Sequence, residues 1–149
     1  MTYDADAFAR DLDLAINRVT QIFNEWLARN TPLNPQLRSG MNPSDAIAET
    51  CFALTLRKLN ERQTREWFAQ VMEETRSMLI TKNAQYGDSA LSPLRIYSTS
   101  SPHEQLLVRM DDKISRMAHG AAAGEDPAGD LLGYQVLILI SEIRGAKEP

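Results

Sequence analysis

Acidic and basic side chains recur at helical spacings through the second half of this 149-residue chain. The acids are Glu73-Glu74, Asp111-Asp112, Asp126 and Asp130, and the cations are Lys82, Arg109, Lys113 and Arg116. Carboxylate oxygens hold hard divalent cations such as magnesium, while Lys and Arg neutralise phosphate oxygens. The combination suits a polyphosphate substrate handled with a metal ion. Asp126 and Asp130 are four residues apart, so both can face one site, as helix-borne ligands do in carboxylate-rich bundles. Arg109, Lys113 and Arg116 follow at i, i+4 and i+7 and share one helical face.

Each of these residues also has a plainer reading. With Leu107 at the centre of a helical wheel, Asp111 falls roughly 40° away and borders the core, where a carboxylate needs a cation or a metal. Either partner would satisfy it. Asp112 lies on the flank with Arg109 and Arg116, where intrahelical pairing is the simple alternative to a phosphate-facing strip. Glu73 and Glu74 sit mid-helix, where exposed glutamates are ordinary. Asp126 precedes Pro127 and so is either a ligand or an N-cap. Asp130 opens a turn that runs into LLGYQVLILI, where few faces can meet water, and the rival to a functional role is a first-turn acid favoured by the helix dipole. Tyr86 and Asn83 stand where they could pack and cap a helix end.

Composition removes several other classes. Sixteen Lys and Arg against twenty Asp and Glu give a net charge of -4, the wrong sign for gripping a phosphate backbone, so nucleic acid is not expected as a partner. Cys51 is the only cysteine and His103 and His119 the only histidines, which excludes an internal disulfide and a Cys/His zinc cage. Neither histidine follows a glutamate by three, as a carboxylate-bridged iron bundle would require. The Walker, dinucleotide-binding, H-E-x-x-H and G-x-S-x-G signatures do not occur. No stretch reaches the roughly 18 apolar residues of a membrane span, and MTYDADAFARDLD is acidic and unlike a signal peptide. The expectation is a cytoplasmic protein with no membrane partner.

The elements that must position these residues read as helices throughout. Between Asp4 and Asn30, the residues Phe8, Leu12, Ala15, Val19, Ile22, Phe23 and Trp26 step by three and four, one face of a long amphipathic helix. Pro32, Pro35, Gly40 and Pro43 make Thr31 to Pro43 a linker or arm. Asn42-Pro43 is an N-cap with proline at the first helical position, predicting a second helix to about Asn60 through Ile47, Cys51 and Leu54. A third, from Arg62 to about Gln85, carries Phe68, Val71, Met72, Leu79 and Ile80 and stops at Tyr86-Gly87. Ser101-Pro102-His103-Glu104 has the form of a capping box, followed by a stripe of Leu107, Met110, Ile114 and Met117. Glycine and alanine from Gly120 to Gly124 break the pattern before Asp126-Pro127 starts a last, central helix, apolar on nearly every side from Leu131 to Ile140. No alternating strand pattern competes, so the expectation is all-α: one domain over 1–149 with about five helices, 1–60 forming N-terminal helices and arm, 61–145 the core.

Three segments, in order, carry a family likeness. Lys82 to Ser89 (KNAQYGDS) resembles a K-N-x-x-Y-G element, Arg109 to Arg116 (RMDDKISR) resembles R-x-x-D-K-x-x-R, and Asp126 to Tyr134 (DPAGDLLGY) resembles D-x-x-x-D-L-x-x-Y. Over roughly residues 65 to 142 the chain resembles a divergent, phage-type branch of the MazG-like all-α nucleoside triphosphate pyrophosphohydrolases, nearest to the MazZ-type dGTP/GTP diphosphohydrolases. That family places magnesium ligands in E-E-x-x-E on one helix and E-x-x-D on the next. Here Asp111-Asp112 stands in place of the paired glutamates, Ser115 in place of the third, and Pro127 in the first place of E-x-x-D. Serine and proline supply no carboxylate, so Asp126 and Glu73 or Glu74 are the substitutes on hand.

The resemblance implies hydrolysis of a (deoxy)nucleoside triphosphate, dGTP or GTP by analogy, to the monophosphate and pyrophosphate. Two or more magnesium or manganese ions would bind the phosphates while water attacks in line at the α-phosphorus. It assigns Asp112 and Asp130 as principal metal ligands, with Glu74, Glu73, Asp126 and Asp111 as helpers. Catalysis would draw on Asp112, Asp130, Glu74 and Lys113. Lys82, Lys113, Arg109 and Arg116 would face the phosphates, with Asn83 and Tyr86 near the base. It further implies a homo-oligomer, a dimer or tetramer, in the host cytoplasm if phage-encoded. The alternative is a non-catalytic helical nucleotide-binding or assembly module whose acids only solubilise helices.

Overall fold

The computed structural model describes residues 4–29, 47, 50, 51, 61–120, 124 and 126–147. Among them lie four helices and no strand: α1 (Ala5–Arg29), α2 (Glu61–Tyr86), α3 (Pro102–His119) and α4 (Pro127–Lys147). The all-α expectation is met. The helix expected from Asn42 to Asn60 lies outside the described residues, apart from Ile47, Thr50 and Cys51, which are helical and buried.

Three of the helices, α1, α3 and α4, start where the sequence offers a cap. The Asp4 carboxylate accepts from the Ala7 amide at 2.9 Å, and the Ser101 hydroxyl accepts from the Glu104 amide at 3.1 Å, with Pro102 opening α3. Asp126 caps α4 by accepting from the Gly129 amide at 3.1 Å. A Cβ at Gly129 would collide with that folded-over carboxylate, so the glycine makes room for the cap. At the other end of α2, Gly87 (φ 63°) and Asp88 (φ 69°) take left-handed conformations and terminate the helix.

The core follows the apolar stripes. Phe8, Leu12, Ala15, Val19, Ile22 and Phe23 of α1 are all buried, and Phe23 stacks on Phe68 of α2 with ring centroids 4.0 Å apart. The Trp26 side chain lies outside the described set. From Leu131 to Ile140 only Tyr134 keeps partial exposure, and α4 packs against α1, α2 and α3. The last helix is central for that reason, each fully buried Leu or Ile contributing about 1.5–3 kcal/mol. No described helix is long and apolar enough to cross a membrane.

One face is rotated from its expected position. On α3 the buried residues are Leu106 and Met110, while Leu107 and Ile114 are half-buried and Met117 is exposed. With Met110 as the centre, Asp111 lies roughly 100° round the wheel rather than roughly 40°. Asp111 is accordingly exposed and does not border the core. The run Leu106-Leu107-Val108 offers three adjacent apolar choices, and packing selects the first.

Candidate functional site

A cavity of about 270 Å³ opens where the C-terminal end of α2 passes the first turns of α4. Lys82, Asn83 and Tyr86 of α2, Asp88 to Ala90 of the following turn, Arg109 of α3, and Asp130, Gly133, Tyr134 and Leu137 of α4 line it, with Phe8, Met78 and Leu79 as its apolar wall. Helical spacing makes this possible. Lys82, Asn83 and Tyr86 share the last turn and a half of α2, and Asp130, Gly133, Tyr134 and Leu137 repeat by three and four on α4. Gly133 lets the two helices close, since a Cβ there would stand 2.9 Å from the Met78 methyl.

Asp130 is the electrostatic centre. One carboxylate oxygen lies 3.2 Å from the Lys113 ammonium of α3 and the other 3.8 Å from the Lys82 ammonium of α2. Three helices therefore contribute to one ion cluster. The Asp130 side chain is 29% exposed and Lys113 only 18%, so the attraction is less screened than between surface charges. Two ammonium groups over-compensate one carboxylate, and Arg109 adds a further cation at the cavity without a carboxylate partner among the described residues. The surplus positive charge suits an anion such as phosphate.

A polar network holds the end of α2 and the turn that follows it. Asn83 is buried and its amide nitrogen donates to one Asp88 carboxylate oxygen at 2.8 Å. The other Asp88 oxygen accepts from Arg144 at 3.0 Å, and Arg144 also donates to Asp11 of α1 at 3.0 Å. Burial alone would lower the Arg144 pKa, but hydrogen bonds to Asp11 and Asp88 and their charges raise it above the ordinary guanidinium value. Tyr86 is exposed at the helix end rather than packed beneath it.

The residues singled out in the sequence divide into two groups. Lys82, Asn83, Tyr86, Arg109 and Asp130 line one cavity, and Lys113 joins them through Asp130. The others have local partners or face solvent. Asp112 pairs with Arg116 at 3.1 Å, one turn along α3, and both side chains are about half exposed. Asp126 serves as the α4 cap. Glu74 accepts from Gln70 at 3.2 Å, and Glu73, exposed like Asp111, acts electrostatically on Arg76. Among the described residues no three Asp, Glu, His or Cys side chains converge as a metal-holding group.

Asp88, Arg144 and Asp11 escaped the sequence reading. Asp11 carried a usable signal, because it falls between Phe8 and Leu12 on the core-facing stripe of α1, where an acid requires a partner. Arg144 gave none, since a cation near a helix C-terminus is expected on general grounds.

No protein-family model, no curated protein and no solved structure matches the chain.

Proposed function

We propose that the cavity binds a nucleoside triphosphate, dGTP or GTP, and that the chain hydrolyses it to the monophosphate and pyrophosphate. The observation that carries this reading is Asp130 held between Lys82 and Lys113 on a cavity also lined by Arg109, Tyr86 and Tyr134. The lysines and Arg109 bind phosphate oxygens and stabilise the charge that gathers on the departing pyrophosphate. Tyr86 and Tyr134 offer aromatic faces to the base, and Asn83 lies among the polar groups beside them.

Magnesium or manganese belongs to the proposal. Magnesium is commonly bound by one or two carboxylates together with substrate phosphates and water. Asp130 on the cavity meets that modest demand for an ion arriving with the nucleotide, whereas both Asp88 oxygens are already engaged by Asn83 and Arg144. A site holding two ions independently of substrate needs more carboxylates than the described cavity residues provide. When bound, the ion supplies Lewis-acid polarisation of the phosphoryl oxygens. We include in the same reading a homo-oligomer, a dimer or tetramer, to be checked by light scattering.

A second reading, a nucleotide-binding module without turnover, draws on the local partners of Asp112, Asp126 and Glu74. A panel of the eight common NTPs and dNTPs, with and without magnesium or manganese, separates the two. Metal-dependent release of pyrophosphate and monophosphate, greatest for dGTP and GTP, supports the enzyme. A pyrimidine preference keeps the reaction and changes the substrate. Binding with no product on any nucleotide supports the module.

A further inference from the structure

The Asp88 turn takes a left-handed backbone conformation. Its φ of 69° is uncommon for a residue with a side chain, although Asp tolerates it better than most, and such residues persist where their surroundings fix them. Both carboxylate oxygens are engaged, one by Asn83 and one by Arg144. Arg144 in turn grips Asp11 through a second nitrogen, so a single guanidinium ties α4, α1 and the turn together. These groups are largely withdrawn from water, with the Asp88 and Asp11 side chains 17% and 12% exposed. The Asp88 carbonyl accepts from the Leu91 and Ser92 amides at 3.1 and 2.9 Å, so the same hold extends to the chain leaving the cavity.

We propose that Arg144 is a positioning residue for the cavity: it holds the Asp88 carboxylate, neutralises it, and thereby fixes the wall formed by Asn83 and the Gly87–Ser89 turn. Arg144 does not itself line the cavity, whereas Asp88 and Asn83 do. Without Arg144, the cavity would present an uncompensated carboxylate to whatever anion enters it. The effect on ligand binding is therefore electrostatic and is transmitted through Asp88 specifically, not through Asp11. This inference takes its ligand from the proposed function, while the geometric part stands without it.

The test uses the full chain and an α,β-methylene analogue of dGTP with magnesium, titrated by calorimetry. Arg144→Gln should weaken binding by about tenfold, the scale of one charge-assisted hydrogen bond. Adding Asp88→Asn to Arg144→Gln should restore most of the loss, and adding Asp11→Asn should not. Wild-type affinity in Arg144→Gln overturns the proposal, as does equal rescue by both second substitutions or rescue by neither. If Arg144→Gln does not fold, Arg144→Lys, which keeps the charge but cannot bridge both acids, should show an intermediate loss, and unchanged affinity there overturns the proposal.

Should the wild-type chain bind no analogue, the nucleotide reading fails and the hold on the turn is judged by amide hydrogen exchange. Faster exchange of the Leu91 and Ser92 amides in Arg144→Gln, with the α1 core amides unchanged, supports it. Unchanged exchange at both amides overturns it.

Discussion

The Lys113 ammonium on α3 lies 3.2 Å from the carboxylate of Asp130, in the first turn of α4. The pair joins two helices across the edge of a cavity, and Lys82 of α2 approaches the other oxygen. This arrangement leaves positive charge in excess beside a carboxylate, the condition under which an anionic ligand can exchange places with part of the ion cluster.

The two lysines should differ in weight. Lys113 is 18% exposed and Lys82 53%, so water screens the second more strongly. Lys113→Met should raise KM for the triphosphate by about tenfold or more, and Lys82→Met by less. Steady-state kinetics on both variants checks the order, and a larger effect from Lys82 contradicts it.

Asp126 separates a cap from a metal ligand. Asparagine caps a helix about as well as aspartate but brings no charge, whereas alanine costs about 1 kcal/mol at an N-cap. Asp126→Asn should therefore keep both stability and turnover, and Asp126→Ala should lose stability on that scale. Urea denaturation and pyrophosphate release measure the two effects. Loss of turnover in Asp126→Asn would make it a ligand.

Cys51 gives a pH prediction. Burial pushes its thiol from the ordinary 9.0 up to about 12, against a smaller opposing effect of a backbone hydrogen bond. The folded chain thus holds the proton more tightly than the unfolded one. This contribution to stability is complete below pH 9.0 and is lost as pH rises through about 12. The urea midpoint should fall as pH rises above about 9, and the fall should be smaller in Cys51→Ala. At pH 8 the native thiol should resist a thiol reagent that modifies the denatured chain at once.

The helical framework was legible because capping residues and apolar stripes act locally. Ser101-Pro102 and Asp126-Pro127 mark the starts of α3 and α4, and Tyr86-Gly87 marks the end of α2, as the residues themselves indicate. Lys82, Arg109 and Asp130 were legible for a related reason, since acids and bases beside apolar faces invite a shared site, and Asn83 and Tyr86 were reached through the K-N-x-x-Y-G likeness. The α3 rotation was not, because adjacent leucines leave the buried face to tertiary packing. The Asp11–Arg144–Asp88 bridge was illegible as a whole. It joins residues 133 and 56 positions apart, and no local spacing records such a pairing.

The most direct measurement compares wild type and Asp130→Asn for magnesium-dependent pyrophosphate release from dGTP, with circular dichroism of both proteins. Turnover is expected in the wild type, none in the variant, and nearly identical helical content in both. Equal turnover by a well-folded Asp130→Asn would contradict the proposed function, which rests on that carboxylate.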